Sequence, residues 1–206
     1  MALKGWTVKL VKRADISDFI EQHHYSGSIN GCIADYCYAL YDNNGSMAGG
    51  LFFGRMAMRN QYKRFSENEK NVIELRRLCC VDDTPKNTES FFIGAALRLL
   101  RKHWQEEVDL FSPSANKRSR IVVSYADKEY GHTGIVYKAS NFEMIGEVEG
   151  AKVIIYNGKR YHDKAIRTKY KGNLKPFSVK IKKALEEGKA EYKKTAGKFT
   201  YIYRLD

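Results

Sequence analysis

One stretch restricts the possible folds more than any other: Glu74 to Trp104. It opens with the apolar-rich run Leu75-Arg76-Arg77-Leu78-Cys79-Cys80-Val81. A polar loop follows from Asp82 to Ser90, and an apolar run of helical length continues from Phe91 to Trp104. The order is strand, loop, helix. The helix is expected because apolar residues recur at positions 92, 96, 99 and 93, 97, 100, 104, the spacing of one buried helical face. Asn87 or Thr88 can serve as N-cap, and Pro85 keeps the loop from extending the strand. Amide N–H groups at the start of such a helix point outward, and the helix dipole adds partial positive charge, so the position suits an anion. Lys86 and Arg77 can add full charges there. Neither GxGxxG nor the Walker pattern is present, so no dinucleotide or P-loop site is supported.

The rest of the chain supplies partners for this unit. Thr7 to Val11 reads as a short strand, and a helix starts at Asp15, which can serve as its N-cap. His23-His24-Tyr25-Ser26-Gly27-Ser28 reads as a loop, where side chains carry function more often than in a core. A histidine capping the preceding helix is the plainer alternative. Ile33 to Tyr41 and Met47 to Phe53 form a hairpin across the Asn44-Gly45 turn. Residues 54–70 read as a polar, mobile insert carrying Arg55, Arg59, Lys63 and Arg64 among Met56, Met58, Tyr62 and Phe65. After the helix come a loop at Phe111 to Lys117 and a buried-type strand, Arg120 to Asp127. A short helix is expected from Ile135 to Ser140, then strands over Phe142–Val148 and Lys152–Tyr156. A charged helix is expected over Val179–Tyr192, and a terminal strand over Lys198–Leu205. The sum is an α/β fold: a mixed, mostly antiparallel central sheet flanked by helices, with a basic C-terminal extension. If the strands before and after the long helix are parallel neighbours, a ligand belongs beyond their carboxyl ends. Arg77, the Thr84–Ser90 loop, Ser124, Tyr125 and Asp127 would then border one site.

Charge separates the chain into two parts. Of the net +12, residues 159–206 hold 15 Lys and Arg against 5 Asp and Glu, whereas residues 1–158 are close to balanced. We therefore expect a body over 1–158 and a basic, aromatic-rich extension over 159–206 packed on it. Tyr161, Tyr170, Phe177, Tyr192, Phe199, Tyr201 and Tyr203 are interleaved with the cations, so a nucleic acid, DNA or RNA, is the expected partner. Lys180, Lys182 and Lys183, with Arg55, Arg59, Lys63 and Arg64, are the candidate phosphate contacts. A solvated basic face, or aromatics that simply pack the extension down, is the alternative. Four cysteines without CxxC spacing argue against zinc and for a reducing compartment. No run of eighteen apolar residues and no signal-peptide pattern is seen, so no membrane partner is expected.

Several segments together resemble a known family. Gly134-Ile135-Val136-Tyr137-Lys138-Ala139-Ser140-Asn141-Phe142 looks like the helix of GNAT acyltransferases that follows the acetyl-CoA strand-loop-helix. More specifically, the chain resembles the phage Mom family. The resemblance lies in His24-Tyr25-Ser26-Gly27, Leu75-Arg76-Arg77, Asn87-Thr88-Glu89-Ser90-Phe91, Val123-Ser124-Tyr125-Ala126-Asp127, Gly131-His132-Thr133-Gly134 and Tyr201-Ile202-Tyr203. Asn87-Thr88-Glu89-Ser90 stands where GNAT enzymes carry a glycine-alternating loop.

The resemblance implies transfer of a carbamoylmethyl group to the N6 amine of adenine in double-stranded phage DNA, in the cytoplasm of the bacterial host, shielding that DNA from restriction. It implies His24, Tyr25, Asp127, Ser124, Tyr125 and Tyr137 as catalytic candidates. Arg77, Lys86, Asn87, Thr88 and Ser90 become candidates for an acetyl-CoA or related donor. Iron is associated with the family, and His24, Asp127 and Tyr25, with His23 and Asp35, are the hard ligands on offer. Oligomeric state is open, a homodimer included. An acyltransferase acting on a protein or small-molecule amine, and a DNA-binding protein without activity, are the competing readings.

Overall fold

A computed structural model describes residues 3–29, 31–58, 60–111 and 120–205. The strands are β1 (Thr7–Val11), β2 (Tyr36–Tyr41), β3 (Met47–Gly54), β4 (Val72–Cys80), β5 (Arg120–Asp127), β6 (Glu143–Val148), β7 (Lys152–Tyr156), β8 (Lys159–His162), β9 (Lys169–Tyr170), β10 (Asn173–Leu174), β11 (Ala190–Lys194) and β12 (Lys198–Leu205). The helices are α1 (Arg13–His23), α2 (Thr88–Phe111), α3 (Ile135–Ala139) and α4 (Pro176–Glu186). The main sheet runs β1-β2-β3-β4-β5-β12-β6. The first three pairings are antiparallel, and β4 lies parallel to β5. A parallel pair needs a crossover, and α2 supplies it.

The molecule divides into two compact units. One comprises Met1–Tyr125, Gly134–Gly146 and Thr200–Asp206; the other comprises Ala126–Thr133 and Glu147–Phe199. A body ending at residue 158 with one contiguous extension is a different partition. The observed boundaries return the last residues, with the buried Tyr201 and Ile202, to the first unit.

In the first unit, both faces of β3 are covered. A Cβ at Gly49 would meet the Phe92 ring of α2 at 3.1 Å, and one at Gly50 would meet Ile20 of α1 at 3.2 Å. This adjacent glycine pair lets both helices press on one strand. The α2 stripe Phe92, Ile93, Ala96, Leu97, Leu100 and Trp104 is buried, as its periodicity requires. Burial of each of its large apolar side chains contributes about 1.5–3 kcal/mol relative to exposure.

The structure moves several boundaries. Asn87 takes a left-handed φ of 70° and directly precedes α2, so the helix starts three residues before the apolar run. At the other end α2 reaches Phe111, and residues 112–117 of the expected loop lie outside the described residues. The charged helix is shorter than expected: Gly188, with φ +70°, follows α4, and Ala190–Lys194 is a strand instead. Asp15 is not an N-cap but the third residue of α1, where its carboxylate accepts the Lys12 N–H at 2.8 Å. The 54–70 insert is anchored rather than loose. Met56 is buried with Val72, Ile121, Val123 and Ile202, and Tyr62 and Phe65 pack on the same cluster.

The second unit contains a three-stranded sheet, β11-β7-β8, and the β9–β10 hairpin. The α4 residues Ser178, Ile181 and Ala184 are buried. Among the described residues, no helix is long and apolar enough to cross a membrane.

Candidate functional site

The site begins where β4 and β5 part. Their pairing covers only Val72–Glu74 against Ile121–Val123, although β4 runs to Cys80 and β5 to Asp127. Across β3, Phe52 pairs with Arg77 and Phe53 with Leu75, so Arg76 is the extra residue of a bulge that bends β4 at that point. Ser124 is therefore the first β5 residue with no ladder partner on β4. Its fully buried hydroxyl donates to the Leu75 carbonyl at 3.4 Å and is hydrogen-bonded to the Tyr137 phenol of α3.

Burial pushes the Tyr137 phenol up to about 12, and the Ser124 hydrogen bond works against that rise. The nearby charges of Tyr25, Glu89 and Glu74 raise it further. A phenol so placed is protonated at neutral pH and can give up its proton only as another is supplied. The Tyr201 ring, 5.4 Å from that of Tyr137, and the Phe142 ring, 5.6 Å away, hold it in place.

The His24–Tyr25 loop carries the Tyr25 phenol near enough to act electrostatically on Tyr137. His24 is buried, and its Nδ1 accepts the Ser26 N–H at 3.1 Å with the Ser26 hydroxyl at 2.8 Å. The Ser26 hydroxyl also donates to the Ser28 carbonyl at 3.2 Å, so His24 is tied into the turn that follows it. The Tyr25 ring lies over His24 with centroids 4.1 Å apart, and Tyr25 is 46% exposed. Arg77 fastens this loop: its Nε and Nη2 both donate to the Ser28 carbonyl at 3.4 Å, and Nη1 donates to the Arg76 carbonyl. Its guanidinium is thus committed to backbone, away from the groove where a donor phosphate is expected.

A cavity of about 410 Å³ adjoins the helix start. The 82–90 loop, with Lys86, Asn87, Thr88, Glu89 and Ser90, forms one wall, and Ile135, Val136 and Ala139 of α3 form another. Helix geometry leaves the Glu89 and Ser90 amides without an intrahelical acceptor. Thr88 is buried and its hydroxyl donates to the Pro85 carbonyl at 2.6 Å, so it shapes the loop. The Ser90 hydroxyl donates to the Asn87 carbonyl. Lys86 is the exposed cation of this wall. Glu89 and Glu74 are the site residues the sequence reading missed. An acidic residue in the first turn of an anion-ready helix was the available signal for Glu89.

Other expected residues fall elsewhere. Tyr125 follows Ser124 directly, and successive strand residues face opposite sides. Its ring packs with the 54–70 insert cluster and its phenol accepts from Gln61 Nε2 at 2.8 Å. Asp127 belongs to the second unit. It is buried, accepts the Glu129 N–H at 3.1 Å and pairs with Lys198 Nζ at 2.9 Å.

The expected iron ligands do not fit a metal. Among the described residues, no group of three or more His, Cys, Asp or Glu side chains is placed to hold one. His24 Nδ1 and the Asp127 carboxylate are both committed to other partners, and Asp35 pairs with Arg55.

Arg55, Lys63 and Arg64 are exposed in the first unit, and Lys180, Lys182 and Lys183 are exposed on α4 in the second. Arg59 lies outside the described residues.

The fold matches solved acetyltransferases. The ribosomal-protein-S5-alanine acetyltransferase of Vibrio fischeri aligns with 98% of this chain and 94% of its own, at a TM-score of 0.50 and 8% identity. A Bacillus subtilis acetyltransferase solved with CoA aligns with 97% of this chain and 98% of its own, at 0.50 and 9%. At such identities the likeness shows a GNAT-like fold and nothing finer. In sequence, the chain is 31% identical over 147 residues to the methylcarbamoylase mom of Escherichia phage Mu. That match takes in 70% of this chain and 54% of the relative, so the chain spans about half the length of the curated protein it matches. The family model described as the Mom protein family matches residues 5–206, and the chain belongs to that family.

Proposed function

We propose that this chain is a DNA-modifying transferase that places a carbamoylmethyl group on the N6 amine of adenine in double-stranded phage DNA, within the host cytoplasm, and so shields that DNA from restriction. The observation that carries this reading is the Ser124–Tyr137 hydroxyl pair, set beside the exposed Tyr25 ring and the β4/β5 opening in a chain of the Mom family.

The N6 lone pair is delocalised into the purine ring, so the amine reacts poorly by itself. As the N6–CH2 bond forms, the bond from that methylene carbon to its leaving group must break, and the proton released by the amine must balance the one taken up by the leaving group. Tyr137, protonated at neutral pH, gives its proton to the leaving group, and its phenolate, held by the Ser124 hydroxyl, takes back the proton that the amine releases. Tyr25 offers its face to a flipped adenine, since chemistry on a base requires taking it from the stack. Lys86, Asn87 and Ser90, with the Glu89 and Ser90 amides, fit the phosphates of a CoA-type donor in the adjoining groove. When bound, such a donor supplies an activated acyl carbon. A carbamoylmethyl amine is not an amide, so its terminal nitrogen and its N–CH2 bond call for chemistry beyond simple acyl transfer. Arg55, Lys63, Arg64, Lys180, Lys182 and Lys183 serve as phosphate contacts on DNA.

The groove at the start of α2 favours a second reading, an N-acyltransferase using acetyl-CoA on a protein or small-molecule amine. Mass spectrometry of nucleosides from host DNA after expression of the chain separates the two. A deoxyadenosine heavier by a carbamoylmethyl increment, absent with Tyr137→Phe, is expected. Unmodified DNA from abundant folded protein, together with acetyl-CoA turnover on an added amine, would establish the second reading instead.

A further inference from the structure

The β9–β10 hairpin is unlike the rest of the basic second unit. Tyr170 pairs with Asn173, leaving Lys171 and Gly172 as a two-residue turn. Both take positive φ, 48° and 84°, as a type I′ turn requires. Asn, Asp or Gly is the favoured first residue there, whereas a lysine is strained. Strain kept at an exposed turn directs attention to what the residue does there. Tyr170 is 65% exposed, well above Tyr25 and Tyr130 at 46%. The Lys171 ammonium sits 5.6 Å from its ring centroid.

The hairpin's base, by contrast, is fixed. The Thr168 carbonyl accepts the Lys175 N–H at 2.9 Å and the hydroxyl of the fully buried Ser178 at 3.2 Å. The Thr168 hydroxyl donates back to Lys164. A tip held this way loses little freedom on contacting a partner. The charges around it are also available. Arg167 is spent on Asp163 at 2.8 Å, but among the described residues no carboxylate pairs with Lys169, Lys171 or Lys175, and all three are exposed.

We propose that this hairpin is a DNA-contacting element in which Tyr170 stacks on a base while Lys169, Lys171 and Lys175 take the flanking phosphates. Cations bracketing one exposed aromatic on a short rigid turn match a polyanion whose repeating unit also offers a flat π face. The inference rests on the reading of the chain as an enzyme acting on DNA, and it adds a contact that acts through base stacking.

The test uses the full chain, a short duplex carrying 5-iododeoxyuridine, and no donor. Irradiation is expected to crosslink the duplex to the tryptic peptide containing Tyr170. Tyr170→Leu removes the crosslink and weakens duplex binding about ten-fold, within the range of one base stack, while Tyr170→Trp keeps both. Lys171→Asn, which suits the turn better, leaves the fold intact and lowers the salt dependence by about one phosphate contact. Duplex binding unchanged in Tyr170→Leu, or crosslinks mapping only outside residues 168–175, would overturn the proposal. So would a wild-type chain that binds an RNA hairpin more tightly than the duplex. Failure of the enzymatic reading looks different: hairpin-dependent DNA binding persists, and no modified nucleoside forms.

Discussion

Ser124, a fully buried residue of β5, and Tyr137, the centre of the short helix α3, share a hydroxyl–hydroxyl hydrogen bond where β4 and β5 separate. The phenol is held protonated by burial and by neighbouring negative charge, and Ser124 is the group opposing that rise. Ser124→Ala should therefore move the Tyr137 phenol further up and make its phenolate costlier. We expect turnover to fall about 10²-fold, within the usual range for a general acid, with little change in duplex affinity. Ser124→Thr should recover part of the loss. Wild-type turnover in Ser124→Ala would remove the relay from the mechanism.

Alkaline stability follows from the buried thiols of Cys37 and Cys79 and the half-buried thiol of Cys80. Burial pushes Cys37 up to about 11, against the pull of Arg13, and pushes Cys79 and Cys80 up to about 12. In the unfolded chain, thiols ionise near about 8.5. Between those limits the folded chain binds more protons than the unfolded one, so stability is full below about 8.5 and falls as pH rises toward 11–12. Urea midpoints under reducing conditions should be level from about pH 7 to about 8 and decline steadily above about pH 9. A midpoint that stays level to about pH 10.5 would contradict the assigned burial.

Asp127→Ala is a hazardous probe of catalysis, because it leaves Lys198 without its partner and removes the acceptor for the Glu129 N–H. We expect it to lower stability by roughly 1–3 kcal/mol. Asp127→Asn combined with Lys198→Met should recover much of that. If the double variant is stable and its nucleoside product is unchanged, Asp127 is structural. If the product stays absent in a stable double variant, Asp127 also acts in the chemistry.

How far the sequence revealed all this depends on the range of the interaction. Helix α2 and its capping loop were legible because a 3.6-residue apolar period and polar start signals are local. Ser124 and Tyr137 were legible through motifs. The alternation of strand faces would have separated Ser124 from Tyr125, since adjacent residues cannot both face one site, but the expected site grouped them. Arg77 was assigned to a phosphate because its charge is visible in sequence while its acceptor, the Ser28 carbonyl, is 49 residues away. Lys198 as the partner of Asp127 was hidden for the same reason. Strands β9 and β10 are two residues each, too short to show a period, and in β11 lysines conceal the alternation: Lys193 and Lys194 extend from strand positions into solvent ion pairs with Glu129 and Glu149.

Gly134 tests how tightly the Tyr137 neighbourhood is built. Its φ is +75°, and a Cβ there would penetrate the Tyr201 ring that backs Tyr137. Gly134→Ala should cost roughly 2–4 kcal/mol from backbone strain and overpacking, and the aromatic near-UV dichroism should weaken with it. A variant as stable as the parent would show that α3 can move away from Tyr201, and that Tyr137 is held less firmly than the packing indicates.

The α4 lysines should behave as phosphate contacts with no reading of bases. Lys180 sits 5.9 Å from the Tyr156 ring centroid, and Lys183 is loosely paired with Glu187 at 3.6 Å; both side chains are solvent-facing, as is Lys182. Removing one cation from a DNA phosphate lowers the slope of log affinity against log salt by about 0.9. Replacing all three with glutamine should therefore flatten that slope by up to about 2.7, with equal weakening on specific and random duplexes, because phosphate contacts carry no sequence information. Glu187 competes with the phosphate for Lys183, so Lys183→Gln alone should have the smallest effect of the three. Titration of each variant against one duplex at several salt concentrations measures this directly. An unchanged slope in the triple variant would assign α4 to solubility and leave DNA contact to the insert and the β9–β10 hairpin.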